Sequence, residues 1–161
     1  MNEARRYMSI ALAEADKAAK KGEVPIGAII VRRGVILARA HNVVETTKDP
    51  TAHAEMLAIR CAASALGGWR LSDCDMYVTI EPCAMCAGAI VLARIARLYI
   101  GAADPKSGAC FSVHQLTTDP RLNHRVELFT GILEHECRQR MQKFFKRLRK
   151  ESTSVLEERR L

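Results

Sequence analysis

The stretch DMYVTIEPCAMCAGAIVLARIARLYIGAAD, Asp75 to Asp104, changes its periodicity twice. DMYVTIEP, residues 75–82, is rich in β-branched and aromatic residues and reads as a strand. CAMCAGAIVLARIA, residues 83–96, reads as a helix that begins directly after Pro82. RLYIGAAD, residues 97–104, reads as a second strand.

The flanking sequence extends the alternation. Asn2 to Lys21 has apolar residues at Met8, Ala11, Leu12, Ala15 and Ala18 or Ala19, a helical spacing with Gly22 as its stop. VPIGAIIVRRGVILARAHN, residues 24–42, reads as two strands turning near Arg33-Gly34. VETTKDPT, residues 44–51, reads as loop broken at Asp49-Pro50, and AHAEMLAIRCAASAL, residues 52–66, as a helix ending at Gly67-Gly68. Residues 105–123 read as irregular, HRVELFTG (124–131) as a short strand, and residues 132–150 as a long helix. The final ESTSVLEERRL, residues 151–161, reads as a polar, frayed tail. Strand–helix alternation after an opening hairpin predicts an α/β mixed sheet with helices on both faces. One domain over residues 1–150 and a tail over 151–161 is the expected organisation for a chain of 161 residues.

Hydrophobic residues make up 48% and charged residues 27%, ordinary for a soluble protein. The longest uncharged apolar run, Cys83 to Ala93, has eleven residues and falls short of a membrane span. No signal peptide is legible, so the expected location is the cytoplasm. Six cysteines in a reducing compartment suggest metal or redox chemistry more than disulfides. The net charge of +7 is concentrated: ECRQRMQKFFKRLRK, residues 136–150, holds seven Arg or Lys against one Glu. Charge alone leaves two readings of this helix open, a solvated face or a phosphate-binding surface.

Cys83 and Cys86 lie three apart at a helix start, where both sulfurs share one side and the helix dipole favours thiolate. Cys-x-x-Cys alone fits a redox pair or half of a structural zinc site. Cys61, Cys74, Cys110 and Cys137 are scattered singly and read as buried free thiols. PTAHAEML, residues 50–57, then supplies His53 and Glu55. Two residues on a helix are about 200° apart, so these side chains cannot share a helical face. The spacing makes sense if a metal sits off the helix end, reached by His53, while Glu55 reaches a bound water from the other side of the first turn. His53, Cys83 and Cys86 make a three-ligand set, the catalytic pattern, which leaves one tetrahedral position open. Water there would fall in pKa from about 16 toward about 7, and Glu55 would carry its proton. Each residue alone has a plain structural explanation. His-x-Glu followed by Pro-Cys-x-x-Cys, however, is the known signature of zinc-dependent nucleobase deaminases, tRNA adenosine deaminases among them.

At this point the chain resembles the bacterial tRNA-specific adenosine deaminases of the cytidine-deaminase-like zinc superfamily. The resemblance runs from about Asn2 to Lys150 and rests on EVPIGAIIV (23–31), His41-Asn42, DPTAHAEMLAIR (49–60), MYVTIEPCAMCAGAI (76–90), GAADPKSGA (101–109), LNHRVE (122–127) and FFKRLR (144–149). It implies a three-layer α/β/α fold with a mixed sheet of about five strands, one Zn2+ per subunit, a homodimer and a tRNA anticodon stem–loop as partner. It implies His53, Cys83 and Cys86 as ligands and Glu55 as proton shuttle. Asn42 matches a contact to the flipped base, and Val24, Pro25, Ile26 and Ala54 match the pocket wall. Asp104 matches a contact to the nucleic-acid backbone. Lys106, Ser107, Asn123, His124, Phe144, Phe145 and Arg149 fall where the family meets the anticodon loop. The implied reaction is hydrolytic deamination of adenosine to inosine at the wobble position, position 34, of an arginine tRNA. With the zinc motif present, the basic helix reads as a phosphate-binding surface.

Two other classes share parts of the pattern. A deaminase of a free base or nucleotide (guanine, cytosine or dCMP) shares the zinc site and Glu55, but has no need of a basic helix. A non-catalytic zinc or RNA-binding protein has no need of Glu55, and a redox Cys-x-x-Cys protein has none of His53.

Overall fold

In the computed structural model, which describes residues 2–160, Asn2 caps the first helix by accepting from the Arg5 N–H at 2.9 Å. This helix, α1, spans Glu3–Lys20, and Gly22 stops it at φ 74°. Strands β1 (Gly27–Arg32) and β2 (Val35–His41) pair antiparallel. Their turn places both Arg33 (φ 50°) and Gly34 (φ 79°) in the left-handed region, the geometry that matches strand twist in a two-residue hairpin. There follow α2 (Val44–Thr47), α3 (Ala54–Leu66), β3 (Cys74–Ile80), α4 (Ala84–Leu92), β4 (Arg97–Ala102), a 3₁₀ turn (Leu116–Thr118), β5 (Glu127–Phe129) and α5 (Glu134–Glu158).

The five strands form one mixed sheet in the order β2-β1-β3-β4-β5. β1 runs antiparallel to β2 and β3, whereas β3, β4 and β5 are parallel. Both faces are covered, which makes the expected three-layer α/β/α fold. Alternation along the strands sorts their side chains. Ala28, Ile30, Met76, Val78, Leu98 and Ile100 pack with the alanine-rich α3 and α4 on one face. Ile29, Val31 and Tyr77 pack with Tyr7, Met8, Ala11 and Leu12 of α1 on the other, where Cys137 of α5 joins them. That second layer sits close to the sheet. A Cβ at Gly27 would overlap α1 backbone at Ala11, and one at Gly101 would overlap the Cys137 side chain.

Several expectations differ from what is observed, among them the strand expected over residues 124–131, which is confined to Glu127–Phe129. VETT forms the short helix α2 instead of loop. Helix α4 ends at Leu92 and does not reach residue 96, because Arg94 turns left-handed (φ 64°) so that Ala93 and Ile95 can bury. The residues after Lys150 are exposed, Val155 and Leu156 among them, and they continue α5 to Glu158 instead of fraying. Cys61 is exposed, whereas Cys74, Cys110 and Cys137 are buried as expected. The outer ends of the expected domain and tail, residues 1 and 161, lie outside the described residues. Among the described residues no helix is long and apolar enough to cross a membrane.

Candidate metal centre and cleft

Two helix N-termini meet beyond the carboxyl end of β3. His53 is the N-cap of α3, held extended at φ −79° and ψ 150°, and Cys83 is the N-cap of α4 at φ −72° and ψ 177°. Because His53 stands outside the helix and Glu55 inside its first turn, the two-residue spacing does not send them apart. His53 Nδ1 lies 3.7 Å from Cys83 Sγ and 3.5 Å from Cys86 Sγ, and the three donor atoms all fall within 4.8 Å of one another. With Zn–S near 2.3 Å and Zn–N near 2.0–2.1 Å, a tetrahedral zinc separates N and S donors by about 3.6 Å. One imidazole and two thiols at these distances therefore fit zinc, by spacing and by donor chemistry.

The electrostatics follow from burial and from the helix end. A hydrogen bond with Cys86 holds the Cys83 thiol at about 5, against the desolvation that opposes it, with help from the N–H groups of Cys86 and Met85. Cys86 moves the other way, raised by that same bond and by its burial. Glu55 is 3% exposed, with Oε2 3.5 Å from Cys86 Sγ, and burial pushes its carboxyl up to about 7.

His53 and Cys83 of the trio, with Glu55, lie on the floor of a cleft of about 830 Å³. Of the residues singled out in the sequence, Val24, Ile26, Asn42, His53, Glu55 and Cys83 line it. So do Asp104, Lys106, Ser107, Phe145 and Arg149. Asn42 is buried, and its Oδ1 accepts from the Ala54 N–H at 2.8 Å, which seats the base-contact candidate on the first turn of α3. Ala54 itself is fully buried and Pro25 is buried; neither lines the cleft, and they support the wall from behind. Cys86 is buried beneath Cys83.

Asn123, His124 and Phe144 also lie off the cleft. Asn123 is exposed. One nitrogen of the His124 ring is bonded to the backbone: the Ile95 carbonyl, 2.7 Å away, can only accept, so Nε2 carries the proton and donates. Phe144 is 5% exposed, with its ring edge-on to Phe145.

Helix α5 closes one side of the cleft with Arg138, Met141 and Gln142, which the sequence reading did not single out. It is pinned to α1 by Arg140 Nε donating to Asp16 Oδ1 at 2.9 Å. Two buried glutamates were also missed. Glu81 gathers the segment after β4, and Glu23 holds the opposite wall. Glu23 Oε1 accepts from the Glu45 N–H at 2.9 Å, and Oε2 from the Thr46 N–H at 2.7 Å and the Thr46 hydroxyl at 2.6 Å. Each glutamate immediately precedes a residue already flagged, Val24 or Pro82, but no local pattern marks an acceptor whose donors are far along the chain.

Glu23 should make the fold acid-sensitive. Burial alone would raise its carboxyl, but the bonds from Thr46 and Glu45 outweigh burial and leave it below its ordinary value. A carboxylate lowered on folding contributes stability that is complete above the unfolded value of about 4.3 and is lost as pH falls through the folded one. Thermal unfolding should therefore show Tm dropping between about pH 5 and pH 3. Glu23→Gln should be less stable than wild type at pH 6 and show a shallower acid drop. Equal slopes for the two proteins would remove Glu23 as the cause.

Known proteins agree with this picture. A family profile described as MafB19-like deaminase matches residues 2–149. The chain is 50% identical over 155 residues to a tRNA-specific adenosine deaminase of Bacillus subtilis strain 168, covering 96% of each chain. A solved structure from work on A-to-I editing by tRNA:A34 deaminases superposes with a TM-score of 0.81 at 46% identity, covering 84% of this chain and 98% of that one. A guanine deaminase structure from Bacillus subtilis gives a TM-score of 0.61 at 42% identity, covering 64% of this chain and 66% of that one. With its mixed five-stranded sheet and its His/Cys/Cys centre at the paired starts of α3 and α4, this chain belongs to the bacterial tRNA-specific adenosine deaminase family of the cytidine-deaminase-like fold.

Proposed function

We propose that the protein deaminates adenosine to inosine at the wobble position, position 34, of a tRNA anticodon, with an arginine isoacceptor as the first candidate. The observation that carries this reading is the buried Glu55 carboxyl beside a zinc-fitting trio, at the floor of a cleft whose side wall is the basic helix α5. A free base needs such a floor but not such a wall.

His53, Cys83 and Cys86 would hold one Zn2+ per subunit. When bound, zinc acidifies a water molecule and so supplies the nucleophile for C6 of the ring. Glu55 takes the water's proton, delivers it to N1, and then assists the 6-amino group to leave as ammonia. Water and adenosine are thereby converted to inosine and ammonia. Asn42, seated by Ala54, contacts the base, and Val24 and Ile26 close apolar surface around it. A loop nucleotide suits this enclosure because it leaves its stack cheaply. Asp104, Lys106 and Ser107 on one rim, with Phe145 and Arg149 on the other, meet the flanking nucleotides.

Residues 1–150 form the deaminase domain in this reading. A homodimer working in the cytoplasm completes it.

The guanine deaminase neighbour at 42% identity supports a second reading, a free-base deaminase. Mass spectrometry of a short anticodon stem–loop separates the two. Incubation with the protein should add about one dalton, confined to the wobble nucleotide. An unchanged RNA together with turnover of guanine would replace the first reading with the second.

A further inference from the structure

Glu81 sits between β3 and the Cys83 cap at the edge of the cleft, only 3% exposed, and is satisfied by protein donors. None of its hydrogen-bond partners is a cation. A carboxylate in that state is costly unless donors surround it. Its donors all come from one segment. Oε2 accepts from three successive backbone N–H groups, Cys110 at 3.1 Å, Phe111 at 2.9 Å and Ser112 at 2.9 Å. Successive N–H groups turned on one point form a nest for an anion, here supplied by the chain itself. Oε1 accepts from the Asp104 N–H at 3.1 Å and from the Ser112 hydroxyl. The segment closes so tightly that a Cβ at Gly108 would overlap the carboxyl group.

The Oε1 end is the informative one. Asp104 begins the rim that lines the cleft with Lys106 and Ser107. Within the rim Asp104 sets the local shape: its Oδ1 accepts from the Lys106 N–H at 3.0 Å, and its Oδ2 from the Ser107 hydroxyl at 2.8 Å. That turn fixes the rim's conformation but not its place. Its place comes from the Asp104 N–H on Glu81 and from the Ala109 N–H on the Pro82 carbonyl at 2.8 Å. Both anchors fall within two residues of Cys83.

We propose that Glu81 is a positioning residue whose two oxygens set the Asp104–Ser107 rim at a fixed distance from the His53/Cys83/Cys86 centre, so that the strand flanking the target nucleotide and the reacting base are held in one register. The proposal rests on the wobble-deaminase reading for its substrate, and on the hydrogen bonds alone for its mechanical content.

Glu81→Gln separates the two ends of the carboxylate. A glutamine has one acceptor oxygen, and the three-N–H nest claims it. The amide NH2 then faces the Asp104 N–H, donor against donor, and that end is released. The Ser112 hydroxyl can rotate to accept, but a backbone N–H cannot.

Three readouts on the zinc-loaded protein test this. Hydrogen exchange should accelerate about tenfold or more at residues 104–107, and less at residues 110–112. Zinc content should stay at one per chain. On the stem–loop, KM should rise about tenfold or more while kcat stays within about threefold, because the rim binds the strand and not the reacting atoms. Unchanged exchange at residues 104–107 overturns the proposal. Loss of zinc, or a fall in kcat with KM unchanged, also overturns it and places Glu81 in service of the metal centre instead. Should Glu81→Gln not fold, Ser112→Ala decides: it removes one Oε1 donor and should raise exchange at 104–107 and KM in the same sense, a few fold, and no change in either overturns the proposal. If the wild-type protein leaves the stem–loop unmodified, the wobble reading falls, and the exchange measurement still decides the role of Glu81.

Discussion

Glu55→Ala should lower turnover on the anticodon stem–loop by about 10²–10⁴-fold, the range expected for removing a general acid–base group, while the protein keeps its zinc. Glu55 is not one of the three clustered donors, and its Oε2 sits 3.5 Å from Cys86 Sγ, close to the centre without belonging to it. Among the described residues, the other carboxylates lining the cleft are Glu23, Glu45, Glu81 and Asp104, and Glu45 is an exposed side chain 4.0 Å from Lys48 Nζ. Glu23 and Glu81 are committed to backbone donors, and Asp104 is committed to its own turn. Zinc analysis and single-turnover kinetics of the variant check the two halves separately. If zinc is lost along with activity, Glu55 is part of the metal's support and not the proton carrier.

The second large effect concerns the basic face of α5. Lys143, Lys146, Arg149 and Lys150 are exposed, and only Arg149 among them lines the cleft. Changing all four to glutamine should weaken stem–loop binding by about 10²-fold at physiological salt. It should also flatten the dependence of log K on log salt by about 3, since each lost phosphate contact removes about 0.7–0.9 from the slope. Zinc content and thermal stability should not move. Titrations at several salt concentrations read the slope directly, and an unchanged slope would mean that these residues are a solvated face. Substitution is a cleaner test than cutting the helix at Gln139. That cut removes buried Phe144 and the Arg140–Asp16 bond that fastens α5 to α1, so it would confuse binding with folding.

Two of the differences between expectation and structure, helix α2 and the early end of α4, share one cause. The β1–β2 hairpin was legible because the residues that make it, Arg33-Gly34 between alternating apolar runs, are neighbours. The starts of α1, α3 and α4 were legible for the same reason, since a cap and a first turn lie within a few residues. Helix α2 was not legible. Four residues carry no periodicity, and what holds its start is the Glu23 carboxylate 22 residues earlier. The early end of α4 depends on burying Ala93 and Ile95, which only the assembled layers require. The bond from His124 Nε2 to the Ile95 carbonyl, 29 residues away, was not legible either.

The sequence by itself determined the mixed α/β architecture and the pairing of His-x-Glu with Pro-Cys-x-x-Cys. Strand alternation, helix periodicity and caps are short-range properties, and metal-ligand spacing is written directly in residue numbers. Only the tertiary structure decided that the starts of α3 and α4 meet at one end of the sheet with donors 3.5–3.7 Å apart. It alone placed Arg138, Met141 and Gln142 of α5 on the cleft and set Glu23 and Glu81 into its two walls. The physical reason is burial. A carboxylate removed from water must find its donors wherever the packed chain brings them, and for Glu81 they lie as far as 31 residues away, beyond the reach of any local pattern.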